Sequence, residues 1–210
     1  TMNSYGGDGA YLALYVAVRA FDREPGRITG MLTRRDERSP SDWLKIAIDS
    51  YYDRRTAYEF GVNPAGVKTD RYYFNDGAND DSWDAVWDVQ VTRDAEGWRA
   101  EFKIPFSQLR FARGGGPVGV AIIRDLPRAN ETATWPLIAR SVNGFVSQFG
   151  TVNGLQAGAA PKRLELMPYT VGEVVRASKD GDNPLSRATD PGANLGVDLK
   201  YAVTPALTLT

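Results

Sequence analysis

Apolar side chains recur at every second position through most of this chain, and turn residues break the runs at short intervals. The clearest case is Asp42-Trp-Leu-Lys-Ile-Ala-Ile-Asp49, a β-branched and apolar run, followed by a polar aromatic turn from Tyr51 to Arg55. From Thr56 to Val62 the pattern resumes, with Tyr58, Phe60 and Val62 on one period-two face, so the pair predicts a hairpin. Asn63-Pro-Ala-Gly66 closes the second strand, because Asn and Gly tolerate positive φ while Pro fixes its own φ and donates no ladder hydrogen bond. A further strand is predicted from Val67 to Phe74.

The same grammar extends in both directions. Tyr11 to Phe21 is rich in β-formers and ends at Asp22-Arg-Glu-Pro-Gly26. Ile28 to Arg34 predicts a short strand, and Arg34 to Asp42 a charged, solvated loop. Trp87, Val89 and Val91 alternate with polar residues, as do Trp98, Ala100, Phe102 and Ile104, and Asp94-Ala-Glu-Gly97 joins the two runs as a hairpin. Pro105 to Phe111 breaks the alternation and predicts a helical turn, with Gly114-Gly-Gly-Pro117 as punctuation. Strands are expected at Val118 to Asp125 and Thr132 to Leu137, with Gly144 to Gly150 closing the sheet. The pattern is that of an all-β domain, an antiparallel β-sandwich of the jelly-roll or immunoglobulin-like kind, over residues 1–155. Trp87, Trp98, Phe102, Ile104, Val120 and Ile122 are its expected inward residues.

A linker of small residues at 156–162 leads to a segment of different character, 163–210. Arg163 to Val175 and Asn194 to Val203 alternate over about ten residues each. In the second run Leu195, Val197, Leu199, Tyr201 and Val203 face one side, and Gly196, Asp198, Lys200 and Ala202 the other. Apolar on one face with small or charged residues on the other fits the first strands of an outer-membrane β-barrel, and it also fits an ordinary half-buried strand. Between the two runs, Ser178 to Ser186 is a polar loop.

Composition narrows the chemistry. The 210 residues carry a formal net charge of −1, which gives no long-range pull toward nucleic acid. There is no Cys and no His, so zinc fingers, thiol nucleophiles, Ser-His-Asp triads and His-ligated haem are excluded within these residues. Neither haem nor a nucleotide is an expected cofactor, since only Met31, Met167 or a Lys could ligate iron. No run of about 18 apolar residues predicts a transmembrane helix. No signal peptide is evident, and Thr1-Met-Asn-Ser together with a last strand that stops in mid-pattern reads as a fragment.

Asn75 to Asp88 holds five aspartates and two asparagines interleaved with Trp83 and Trp87. Such an oxygen-rich loop suits Ca²⁺, with Asp76, Asp80 and Asp81 as candidate ligands, although Asp and Asn are also ordinary turn residues.

Several stretches together resemble the carbohydrate-binding module family 9-like domains that precede a predicted outer-membrane β-barrel in Gram-negative bacteria. They are Leu14 to Asp22, Thr33-Arg-Arg-Asp36, Asp42-Trp43, Asp49 with Asp53 to Phe60, Asn63-Pro-Ala-Gly66, Asp81 to Trp87, Gly97-Trp98 and Ile104 to Phe111. Leu164 to Tyr169 and Lys200 to Leu209 resemble the opening of the barrel. The resemblance implies a non-catalytic sandwich in which aromatic rings grip a sugar, often with structural calcium, attached to a barrel and located at the outer membrane, in the periplasm or at the cell surface. The alternatives are a plug or assembly domain that binds no sugar, and part of a glycoside hydrolase, which needs a marked carboxylate pair.

A pyranose presents an apolar C–H face to a flat ring and hydroxyls to polar groups around it. Trp87 and Trp98 are in phase with the core, whereas Trp83 lies in the acidic loop and Trp135 is flanked by Thr134 and Pro136. Trp83 and Trp135, with Tyr58 and Arg124 as hydroxyl partners, are therefore the expected glycan-site residues.

Overall fold

A computed structural model describes residues 2–3, 13–112, 116–139, 141–155, 164–176, 189–204 and 207–209. Expectations that fall on Tyr11-Leu12, on the Gly114-Gly115 punctuation, on the linker beyond Leu155 and on the Ser178 to Ser186 loop lie outside these residues. The chain divides into two compact units, Thr1–Ala160 and Pro161–Thr210.

The first unit is an antiparallel β-sandwich. Its strands in chain order are β1 (Met2–Asn3), β2 (Ala13–Phe21), β3 (Trp43–Asp49), β4 (Ala57–Val62), β5 (Lys68–Phe74), β6 (Ala78–Asp80), β7 (Asp88–Asp94), β8 (Gly97–Pro105), β9 (Val118–Leu126), β10 (Glu131–Trp135) and β11 (Gly150–Val152). One sheet runs β1-β2-β8-β7. The other runs β10-β9-β3-β4-β5-β6, with β11 pairing the same edge of β9 as β10 but nearer its start. Among the described residues the only helical pieces are short 3₁₀ turns, one of them at Phe106–Gln108 where the alternation stops.

The inner faces follow from the two-residue period. From the four-stranded sheet come Leu14 and Val16 on β2 and Trp98, Ala100, Phe102 and Ile104 on β8; they meet Leu44, Ile46 and Ile48 on β3 and Tyr58, Phe60 and Val62 on β4. Trp87 stacks on Phe102 at 5.7 Å and meets Phe60 edge-on at 5.4 Å, so the two sheets are joined through aromatic contact. Trp87, Trp98, Phe102, Ile104 and Val120 are buried as expected, while Ile122 is half-buried near the β10 edge.

Ile28 to Arg34 is not a strand, because contacts from Ser41, Asp42 and Asn63 take over its backbone pairing, whereas the charged loop that follows is exposed from Arg34 to Arg38 and turns inward only at Ser41 and Asp42. Ser41 accepts the Met31 amide at 2.9 Å, Asn63 Nδ2 donates to the Met31 carbonyl at 2.8 Å, and Asp42 N donates to Thr29 O at 2.9 Å. Ser41 and Asp42 are fully buried. Gly144 to Gly150 likewise contributes a 3₁₀ turn at Val146–Gln148, and the closing strand β11 begins only at Gly150.

The outward face of the larger sheet is split. At one end Ala47, Ala57, Tyr73 and Ala121 are covered by Val146 and Phe149, forming a second small core. The other end stays open, and it holds the site described below.

The second unit is an antiparallel sheet of β12 (Leu164–Arg176), β13 (Thr189–Thr204) and β14 (Leu207–Leu209). Its register places Leu166 opposite Leu199, Pro168 opposite Val197, Thr170 opposite Leu195 and Gly172 opposite Ala193 on one face. On the other face Val171 lies opposite Asn194 and Glu173 opposite Gly192. The Tyr169 ring lies over Gly196, where a Cβ would collide with it.

Candidate functional site

Cross-strand register lays out the open end of the larger sheet in rows. Asp125 on β9 lies opposite Trp43 on β3; Ile123, Lys45, Gly61 and Thr69 form the next row across β9, β3, β4 and β5; Ala121, Ala47, Glu59 and Arg71 form the third. Strand alternation sends these side chains away from the sandwich core. In the middle row Gly61 supplies no side chain, and a Cβ there would press on Thr69 Oγ1 at 2.5 Å and Lys45 Cγ at 3.1 Å. The result is a groove of about 420 Å³, rimmed by Asp36, Arg38, Ser39, Asp81, Asn130 and Glu131. That volume falls within the range of about 300–1,000 Å³ usual for small-molecule sites.

The groove is polar and densely paired. Lys45 Nζ meets Asp125 at 2.7 Å, and Thr132 donates to the same carboxylate at 2.8 Å. Arg71 pairs with Asp81, and the Tyr73 hydroxyl donates to Glu59 Oε2 at 3.0 Å. Glu59 is only 3% exposed. Burial pushes the Tyr73 hydroxyl pKa up, and the Glu59 charge adds to this. Burial works against the charge on Arg71, but its contacts with Tyr73, Glu59 and Asp81 outweigh it and hold the guanidinium firmly protonated. Trp43 is buried at the groove wall, its indole N–H donating to the Ser39 carbonyl at 3.3 Å. The lining residues carry six carboxylates (Asp36, Glu59, Asp70, Asp81, Asp125, Glu131) against three cations (Arg38, Lys45, Arg71).

The residues expected at the glycan site do not share one surface. Trp83 is half-buried against Tyr58 at 5.0 Å and Phe60 at 5.9 Å, and Tyr58 is 7% exposed, so these two rings are together but belong to the inter-sheet core. Trp135 is 55% exposed on β10, opposite Ile122 and over Gly150. Strands β9 and β3 separate it from β4, so Trp83 and Trp135 do not face each other. Arg124 is turned inward at the sandwich end, where it donates to the Phe21 carbonyl and to Asp22 at 2.9 Å. Its alternation phase, shared with Val120 and Ile122, already pointed that way.

The proposed cation ligands are each engaged by the protein. Asp76 accepts the Phe145 and Ser147 amides at 3.1 and 2.7 Å and the Ser147 hydroxyl at 2.7 Å. Asp80 caps Ser82, and Asp81 pairs with Arg71. Among the described residues the carboxylates close enough to share an ion are Asp36, Asp70 and Asp84 instead. Arg35 lies among them, at 3.4 Å from Asp36 and 3.9 Å from Asp84 and in direct contact with Asp70, so the chain supplies its own cation there.

Of the groove residues only Asp81 carries an expectation from the sequence, as a cation ligand; Lys45, Glu59, Arg71 and Asp125 do not, although a signal is present. Lys45 interrupts Leu44 and Ile46, and Glu59 sits between Tyr58 and Phe60; charged residues alternating with core residues mark a second face that is also used.

No protein-family model matches the chain, and no curated protein matches it. Solved structures similar to it include two carbohydrate binding modules. One is a carbohydrate binding module family 9 from Caldicellulosiruptor kristjanssonii in complex with cellotriose, 17% identical over 67% of this chain and 68% of that one, with a TM-score of 0.44. Another, the module in complex with glucose, is 18% identical over 71% and 75% of the two chains, with a TM-score of 0.46. The sandwich itself stands on its sheet topology.

Proposed function

We propose that the first unit is a non-catalytic glycan-binding module whose ligand lies in the groove on the outward face of the larger sheet. The observation that carries this reading is the interleaving of donors and acceptors (Lys45, Thr69, Arg71, Thr132 with Glu59, Asp81, Asp125) over a floor kept open by Gly61. A sugar hydroxyl both donates and accepts, so a surface offering both within one concavity suits it. The motif set that resembles family 9-like modules supports the same reading independently.

Calorimetry and a glycan array on wild type, Lys45→Met and Arg71→Met test it. Glycan binding is expected in the wild type and is expected to weaken about tenfold or more in either variant, each of which removes a charged hydrogen bond. A wild type that binds no glycan sinks the reading. The exposed Trp135 ring favours a second location, and Trp135→Ala decides between them: a loss of binding there with Lys45→Met unaffected moves the site to β10.

The second unit extends the proposal to attachment at an outer membrane. On β13 the exposed Leu195, Val197 and Leu199 alternate with Asn194, Gly196 and Asp198, while β12 adds Leu166 and Val174 to the apolar face and carries the exposed Tyr169, Val171 and Val175 on the other. The alternation on β13 is what a lipid-facing barrel strand requires. The module would then serve the outer membrane or the cell surface.

A further inference from the structure

Glu59 is buried at the groove floor with only half of its carboxylate engaged. Tyr73 donates to Oε2 at 3.0 Å, and among the described residues no other donor is bonded to Glu59; Arg71, its cross-strand neighbour, acts on it through its charge but is paired directly with Asp81. A carboxylate accepts about four hydrogen bonds, and Glu59 lines the groove, so Oε1 has acceptor capacity open to a donor from outside the chain.

The cations on the groove floor are already paired. Lys45 is held by Asp125 at 2.7 Å and Arg71 by Asp81, while the third, Arg38, is an exposed rim residue 3.9 Å from Asp81. An anionic sugar would have to break one of these pairs and would sit beside Glu59. A neutral sugar would meet no such cost. A sugar carrying an ammonium group would bring three donors and the one charge the carboxylate excess of the groove lacks.

We propose that the groove is selective for amino sugars, with Glu59 Oε1 as the residue that accepts the ammonium group; this rests on the glycan-binding reading above. The hydroxyls are shared by every sugar, so Glu59 sets preference among glycans while Lys45 and Arg71 support binding of all of them.

The test is calorimetry at about pH 6, where an amine of ordinary pKa is protonated. It compares a fully deacetylated chito-oligosaccharide, its N-acetylated counterpart, a cello-oligosaccharide and an oligogalacturonate of equal length. The amino glycan is expected to bind about fivefold or more tightly than the neutral ones at about 20 mM salt, with the margin shrinking by about 150 mM, and the oligogalacturonate weakest. Glu59→Gln, which keeps the shape, should abolish the margin between the amino glycan and the neutral ones, whatever it does to their common affinity. Equal affinities for amino and neutral glycans, or a margin that survives Glu59→Gln, overturns this inference and leaves the glycan module standing. Spermidine binding as well as the amino glycan overturns it too, because the site would then read amines and not sugars. If none of the four glycans binds, both proposals fall.

Discussion

Glu59 and Tyr73 share a 3.0 Å hydrogen bond on the outward face of the larger sheet, yet both are more than nine-tenths buried. A phenol held against a carboxylate under cover resists losing its own proton. Burial, joined by the Glu59 charge, raises the Tyr73 pKa above its ordinary value of 10.0, and burial pushes Tyr58 up to about 12. A pKa raised in the folded state stabilises it fully below the unfolded value and loses that contribution as pH rises through the folded one. The sandwich should therefore weaken between about pH 10 and 12. Denaturant titrations across that window check this, and Tyr58→Phe should flatten the decline while leaving stability at pH 7 within about 1 kcal/mol.

The opposite sign applies at the sandwich end. Asp22, with a side chain only 3% exposed, accepts from Arg124 at 2.9 Å and Arg128 at 2.5 Å, and Arg128 reaches on to Asp42 at 3.3 Å. Burial raises the Asp22 pKa, but the Arg128 hydrogen bond, the Glu24 amide and both guanidinium charges outweigh it and lower the pKa overall. Its contribution is thus present above the unfolded value of 3.8 and lost as pH falls below it. Asp22→Asn leaves two inward guanidiniums facing Asp42 alone. A loss of about 3–5 kcal/mol is expected at pH 7 by chemical denaturation, the range for breaking a buried pair by removing one partner. A loss under about 1 kcal/mol would show that the cluster is screened by solvent.

Asp76 holds the segment that covers the second small core. Through Phe145 and Ser147 it fixes the 3₁₀ turn that sets Val146 and Phe149 over Ala47 and Ala121. Asp76→Ala should cost about 1–2 kcal/mol, as for loss of a helix cap. The cost should be the same in EDTA and in millimolar Ca²⁺, since the carboxylate serves protein donors. A melting temperature of the wild type that rises with Ca²⁺ and a variant that does not respond would return Asp76 to the role of cation ligand.

The core was legible in the chain because it depends on phase alone. Tyr58, Phe60 and Val62 alternate in sequence and therefore alternate in space, and the same holds for Trp98, Ala100, Phe102 and Ile104. The groove depends on register, which sequence does not carry: Lys45, Glu59, Arg71 and Asp125 meet only because β9, β3, β4 and β5 pair as they do. Arg124 shows how composition misleads, since an arginine near a strand end looks free until Asp22, 102 residues away, is folded beneath it. The Ile28 to Arg34 run has strand composition, but its amides and carbonyls are claimed by Ser41, Asp42 and Asn63. Trp83 was placed correctly in a loop, but the loop folds the ring back onto Tyr58.

The hairpin of β12 and β13 carries the remaining prediction. β12 has 13 residues, longer than the 9–11 that a tilted strand needs to cross a bilayer, and Leu166 and Val174 stand at the two ends of the face it shares with Leu195 and Val197. That span is roughly 26 Å along the strand at about 3.3 Å per residue, or about 19 Å of height at a barrel's tilt of about 45°, most of the lipid-facing band. Across it, Leu195 and Val197 of β13 share the apolar face, while Asn194 points to the other side. A charge on a lipid-facing position costs about 2–4 kcal/mol near the bilayer centre, and a charge on the lumen side costs little. In vesicle flotation, Leu195→Arg and Val197→Arg should strip the protein from the lipid fraction, whereas Asn194→Arg should float as the wild type does. If all three variants float alike, or the wild type stays with the soluble fraction, the apolar face has a protein partner and no lipid contact, and the hairpin is an ordinary half-buried sheet.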